Sequence, residues 1–249
     1  MKKIYYVWLR ELKRFIRSKS RVVGSLGLPL LFLVALGFGL NDYMLIQGEN
    51  YLQFLIPGIV SMAVLMNSMM SGVSVIWDKQ FGFMREMLVT PVGRAELIIG
   101  KTLGGATTAL SQGILIFIIS LFIGLDFPGL IGLLIAIVFM IMVGIAFSAL
   151  GLCFASFIED MEAFPLIMNF VILPLFFLSG ALFPITGENI PKFLSIAAHS
   201  DPLTYGVDAI RFGLTGVSAI PLWIDFIVMA VACLVFVTLG TYLFSKIQM

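Results

Sequence analysis

Six long apolar runs in this chain carry no acidic or basic residue: Val22–Leu40, Gln53–Ile76, Thr102–Leu125, Phe127–Ile158, Ala163–Gly187 and Phe226–Ser245. About 20 helical residues cross the roughly 30 Å of bilayer hydrocarbon, so each run is long enough to span as a helix. The fold class this implies is all-α, a polytopic membrane protein with six transmembrane helices. Charged residues make up 12% of the 249 residues and hydrophobic residues 60%, against a charged share of about 25% in soluble domains. A soluble core has no need of six separate uncharged runs. The missing charge also bears on energy supply, because pumps and ion-coupled transporters carry buried carboxylates, histidines or bases within their spans.

The formal charge of +1 hides an asymmetry. Lys2, Lys3, Arg10, Lys13, Arg14, Arg17, Lys19 and Arg21 precede the first run; Lys79, Arg85, Arg94 and Lys101 fall between the second and third; Lys246 follows the last. With spans at 22–40, 53–76, 102–125, 129–158, 163–184 and 224–245, all of these lie on one side, and only Lys192 and Arg211 on the other. The positive-inside rule makes the basic side cytoplasmic. The sequence thus predicts a multi-pass protein of the cell (plasma or inner) membrane with both termini inside. The basic start and the apolar stretch around Ala35-Leu36-Gly37 have the outline of a signal peptide. That apolar run exceeds the usual length of about 7–15 residues, so an uncleaved first span is expected. Cys153 and Cys233 sit within apolar runs and read as small packed hydrophobes rather than a disulfide or metal framework.

Residues 3–17 (KIYYVWLRELKRFIR) read as an amphipathic helix. Ile4, Tyr5, Trp8, Leu9, Leu12, Phe15 and Ile16 gather on one face, with Lys3, Arg10, Lys13, Arg14 and Arg17 opposite. A basic face backed by an aromatic-rich apolar face suits the membrane interface. Trp77, Phe81, Met84 and Leu88 recur at helical spacing and predict a second short helix, which Thr90-Pro91 ends. Glu159, Asp160 and Glu162 make a short acidic loop. The segment 188–214 holds Pro191 and Pro202 between apolar stretches and predicts two short helices dipping into the outer leaflet, with their backbone packed against protein.

Small residues at Gly100/Gly104/Thr108 and Gly144/Ser148 mark faces that allow close helix approach, within one subunit or between two. Met62, Met66, Met69 and Met70 read as adaptable packing, not a metal site. Residues 95–102 (AELIIGKT) loosely resemble a phosphate loop. The intervening residues are helix formers rather than a glycine-rich turn, and Lys101 reads as a lysine snorkelling at a span end. No catalytic constellation stands out, and His199 near Asp201 reads as structural.

Taken together, FGFMREMLVTPVGRAELIIGKTLGG (81–105), FFLSGALFPI (176–185) and DPLTYGVDAIRFGL (201–214) resemble the ABC type-2 permeases. The likeness is closer to the branch that includes daunorubicin-resistance and nodulation-factor export permeases. It implies a permease subunit of an ATP-binding cassette exporter, the whole chain forming one transmembrane domain. Family members pair two permeases, here expected as a homodimer, with two separate ATPase subunits. The permease itself is then no enzyme and binds no cofactor directly, since ATP and Mg belong to the partner. Membrane lipids are the other expected contact, and no nucleic acid is. By the resemblance, 77–91 is the coupling helix, with Trp77, Phe81, Met84, Arg85, Glu86, Leu88 and Pro91 meeting the ATPase and Glu86 at the family's acidic position. Tyr5, Trp8, Arg10, Arg14 and Arg17 belong to the interfacial helix, and Pro202, Tyr205, Asp208 and Arg211 to the outer re-entrant helices. The rival readings are a self-contained channel or secondary transporter, and a lipid-modifying membrane enzyme using His199, Asp201 and Asp208.

Overall fold

A computed structural model describes residues 2–41, 45–46, 49–81, 93–158, 160–184 and 191–245. Its helices are α1 (Lys2–Arg17), α2 (Lys19–Phe32, continuing as a π-helical turn Leu33–Phe38), α3 (Tyr51–Met70), α4 (Val73–Gln80) and α5 (Arg94–Ile123). There follow α6 (Gly129–Phe157), α7 (Ala163–Leu178), α8 (Lys192–Ser200), α9 (Pro202–Thr215) and α10 (Leu222–Ser245). One two-residue antiparallel pairing, Leu45–Ile46 with Glu49–Asn50, is the only extended element among the described residues. The protein is an all-α polytopic membrane protein.

Local chemistry accounts for the helix ends. Glu96 reaches back to accept the Gly93 N–H at 2.9 Å, capping the start of α5. Residues 95–102 therefore lie inside a continuous helix, whose N–H groups from the second turn on are bonded within it and cannot cradle a phosphate. Asp201 caps α9 by accepting the Leu203 N–H at 2.9 Å, Pro202 occupies the first helical position, and Gly216 closes the helix at φ 79°.

Among the described residues, five helical stretches are long and apolar enough to cross a membrane: Lys19–Phe38, Tyr51–Gln80, Arg94–Ile123, Gly129–Phe157 and Leu222–Phe244. Six spans are expected from the sequence, and α7, with 16 residues, falls below that length. It nevertheless runs the depth of the bundle. Phe164 at its start lies beside Gly72, and beyond its end Leu182 accepts the Tyr51 hydroxyl at 3.2 Å. With 14 residues, α9 extends only about 21 Å.

The centre of the bundle is α3, buried on nearly every side by α2, α5, α6, α7 and α9. Such all-round burial suits a helix whose flanks are apolar throughout. Several places bring backbones into direct contact, among them Gly58 of α3, where a Cβ would collide with the Ala181 carbonyl. A Cβ on Gly151 of α6 would collide with the Met69 carbonyl, and one on Gly72 with the Gly151 carbonyl. A Cβ on Gly213 of α9 would meet the Ala136 nitrogen at 2.7 Å and the Gly132 carbonyl at 2.8 Å. The Gly100/Gly104 face serves packing within the chain: α1 lies across it, with Val7 over Gly100 and Glu11 over Gly104.

Candidate functional site

Four charged side chains meet where α1, α4 and α5 converge. Asp78 of α4 accepts from Lys101 at 2.6 Å and from Arg10 at 2.6 Å. Glu11 of α1 accepts from Arg10 at 3.0 Å and lies 3.4 Å from the Lys101 ammonium, which also donates to Ser74 at 3.1 Å. The Lys101 side chain is 1% exposed and that of Asp78 5%. Burial by itself opposes ionisation of Glu11, but the neighbouring Lys101 and Arg10 outweigh it and hold the carboxyl below the usual range. A cation or anion this buried stays charged only while its partner does. The quartet is therefore a four-way clamp between helices.

The clamp is extended on both sides. Lys79 donates to the Ala155 and Ser156 carbonyls at 3.0 and 3.2 Å, so α4 also holds the C-terminal end of α6, where carbonyls lack helical partners. Trp8 donates to Thr107 at 2.9 Å. The Arg14 guanidinium lies over the Trp77 ring at 5.2 Å, and Trp77 packs against Phe81 at 5.2 Å between centroids.

Lys101 is thus no snorkelling lysine. It points into the bundle because α4 offers a carboxylate there. Arg10, placed by the sequence on the polar face of an interfacial helix, is turned to Asp78 by the same demand, while Arg17 stays exposed. Tyr5 is exposed and packs beside Tyr6 and Trp8. Phe81 is 60% exposed at the end of α4. Met84, Arg85, Glu86, Leu88 and Pro91 lie outside the described residues. Glu11, Asp78 and Lys101 as a group escape a reading of apolar runs, because each sits beyond a run's end. The available signal was Glu11, the one acid in an otherwise basic helix.

A second buried polar group occupies the opposite end. Asp208 accepts the Ala219 and Ile220 N–H groups at 3.0 Å each, fastening the turn that leads into α10. Arg211 donates to the Gly180 carbonyl at 2.9 Å and lies 4.0 Å over the Phe54 ring. Tyr205 donates to the His199 carbonyl at 2.9 Å, and Pro202 begins α9. His199 bonds its own helix through Ser195 at 2.7 Å. Neither it nor Asp208 is free to act with Asp201 as a catalytic set. Asp225 is fully buried at the start of α10. Uncharged apolar runs thus coexist with buried charge, since the helices outlast the runs and carry charge at their ends.

Burial pushes the Asp201 carboxyl up to about 7. A carboxyl raised in the folded state contributes stability that is fully present below its unfolded pKa and lost as pH rises toward 7. Asp201→Asn keeps the cap and removes the titration. Thermal stability of the variant is expected to vary less between pH 4 and 7 than that of the parent, and to equal or exceed it at pH 8. Melting curves in detergent across that range measure this, and an unchanged pH slope contradicts it.

The comparisons with known proteins fit this architecture. The family described as ABC-2 type transporter matches residues 2–215. Inner membrane transport permease YadH of Escherichia coli (strain K12) is 28% identical over 236 residues, 92% of this chain and 90% of its own length. Putative transport permease ycf38 of Cyanophora paradoxa is 28% identical over 205 residues, 80% of this chain and 70% of its own. Nodulation protein J of Rhizobium leguminosarum bv. trifolii is 27% identical over 209 residues, 82% and 78% of the two chains.

Proposed function

The chain belongs to the ABC-2 type transporter family, and from that premise we propose that it is the permease subunit of an ATP-driven exporter. Two copies form the substrate path, and two separate ATPase subunits bind and hydrolyse ATP with Mg. The sixth span is α7, which puts both termini on the cytoplasmic side with α1, the quartet and residues 82–92. Residues 77–91 act as the coupling helix that receives the ATPase, with Glu86, Trp77 and Phe81 at the contact. The 188–214 region closes the path at the outer face.

The observation that carries this reading is the mount of α4. The helix leading into residues 82–92 is pinned through Asp78 to α1 and α5 and through Lys79 to α6. A displacement that reaches Phe81 is passed from α4 to three other helices at once. The positive-inside rule supports the orientation, because Arg10, Arg14, Lys79 and Lys101 gather at one end and Arg211 at the other. The exposed apolar residues Phe38 at the end of α2 and Phe170 and Phe177 on α7 supply a face for the second copy. The two helices already touch through Phe32 and Phe176.

Glu86→Arg places a cation where the coupling helix needs an acid. Retention of the ATPase on the tagged permease is expected to fall by at least about tenfold, the scale of one lost charged contact, with permease yield unchanged. Retention equal to that of the parent would remove the coupling assignment. The buried acids Asp201, Asp208 and Asp225 favour a second reading, an ion-driven transporter. They all lie at the end away from the quartet. Transport that persists in cells lacking the ATPase and collapses with the proton gradient would select that reading.

A further inference from the structure

A cavity of about 420 Å³ opens between α1, α2, α3, α4 and α5, next to the quartet. Its size falls in the range of small-ligand sites, and its lining divides by chemistry. Arg21, Ser25, Asn67, Ser71 and Ser74 provide polar groups, while Phe15, Leu28, Met66, Met70 and Val73 provide apolar wall. The Ser71 hydroxyl is buried without a hydrogen-bond partner.

The charge of a ligand that suits this cavity follows from which lining groups are already satisfied. Lys101 is held by Asp78, Ser74 and Glu11, and Glu11 by Arg10 and Lys101. The Arg21 guanidinium has no ion-pair or side-chain hydrogen-bond partner among the described residues. Residues 1–21 hold eight basic side chains against the single acid Glu11. Arg21 is therefore the lining cation left without a counter-charge at ion-pair distance among the described residues, and a guanidinium binds a phosphate or carboxylate strongly.

The lining also speaks for an attached hydrocarbon. Gly24 of α2 lines the cavity, and nothing lies within 4 Å of the position a Cβ would take. One turn on, Leu28 is 39% exposed, and Leu31 beyond it 59%. The polar cavity thus continues onto a bare apolar flank of α2, at the depth where an amphipathic basic helix meets headgroups. A soluble anion has no use for that flank.

We propose that this cavity binds an anionic lipid from the leaflet bordering α1, with its headgroup anion on Arg21, its polar backbone among Ser25, Asn67 and Ser71, and a chain along Leu28 and Leu31 of α2. The lipid sits against the clamp that fastens α1 to α4, so its occupancy bears on the same helices that receive the ATPase. The proposal needs the chain to lie in a membrane and does not depend on an ATPase partner.

The test uses the full chain alone, in nanodiscs of equal parts phosphatidylcholine and phosphatidylglycerol, with retained lipid counted by native mass spectrometry. The parent is expected to keep one phosphatidylglycerol per chain at about tenfold preference over phosphatidylcholine, the scale of one charge-assisted contact. Arg21→Gln is expected to erase the preference. Gly24→Phe fills the cavity from a position with open space around it and is expected to abolish retention. Gly39→Phe, which adds the same bulk to α2 in open space away from the cavity, leaves retention intact. Equal retention of both lipids by the parent, or undiminished phosphatidylglycerol on well-folded Gly24→Phe, would overturn the proposal. So would displacement of the lipid by glycerol 3-phosphate as readily as by a short-chain phosphatidylglycerol, which would make the site one for a soluble anion. Since no ATPase is present, failure here leaves the exporter reading standing, and loss of that reading leaves this result untouched.

Discussion

Lys101→Ala is expected to lower the unfolding free energy by about 3–5 kcal/mol, the cost of removing one partner from a buried ion pair. The variant leaves Asp78 and Glu11 buried with Arg10 as the remaining close cation, at 2.6 and 3.0 Å. The two carboxylates then depend on Arg10, with Arg14 further off at 4.0 Å from Asp78. Adding Asp78→Leu restores the balance, because Arg10 and Glu11 stay matched. The double variant Lys101→Met, Asp78→Leu is therefore expected to regain most of the loss, as apolar replacement of a buried pair commonly does. Unfolding in mixed micelles measures both. If Lys101→Ala costs less than about 1 kcal/mol, the quartet behaves as a solvated surface pair and the clamp does not exist. The double variant also separates stability from transmission: a well-folded permease without its α4–α5 tie is expected to bind the ATPase but not to raise its turnover.

Gly151→Leu is the next largest effect. The new Cβ would strike the Met69 carbonyl, with the carbonyl carbon and Cα of Met69 both 3.0 Å away. These are backbone atoms of the central helix, so no side-chain rotation relieves the clash, and α3 and α6 must separate. Overpacking costs about 1–3 kcal/mol and occasionally more; here the upper end or beyond is expected, about 3 kcal/mol. Gly24→Ala provides the contrast, since its Cβ meets nothing within 4 Å. Alanine at an exposed helical glycine is expected to stabilise by about 0.5–1 kcal/mol. Unfolding curves for the two variants that shift in the same direction would mean that the α3–α6 contact is not as close as described.

Hydropathy made the helical membrane class legible because burial in lipid demands long uncharged helices. It could not see where those helices end. Lys101 precedes an apolar run and Asp78 follows one, yet both are helical and buried, because a charge at a helix end is tolerated once a partner meets it. That partnering joins residues 23 and 90 positions apart in the chain, a distance over which composition carries no signal. The amphipathic pattern of α1 was readable, but its destination was not. A basic aromatic helix suits the membrane interface, and only the glycines of α5, at 100 and 104, show that it also docks on protein. In α3 the periodic signal is missing altogether, since a helix buried on all sides has no polar face to mark its orientation. The polar group around Asp208 and Arg211 was legible as residues of interest and illegible as geometry, because its partners are mostly backbone: Gly180, Ala219 and Ile220.

The most direct test of the exporter reading is the mass of the intact assembly. The tagged permease is coexpressed with any soluble ABC ATPase that a neighbouring reading frame encodes, extracted in mild detergent and weighed by native mass spectrometry. Two permease chains with two ATPase chains is the expected result, and ATP turnover should accompany that species. Permease chains alone, with no ATPase at any detergent strength that preserves them, would contradict it.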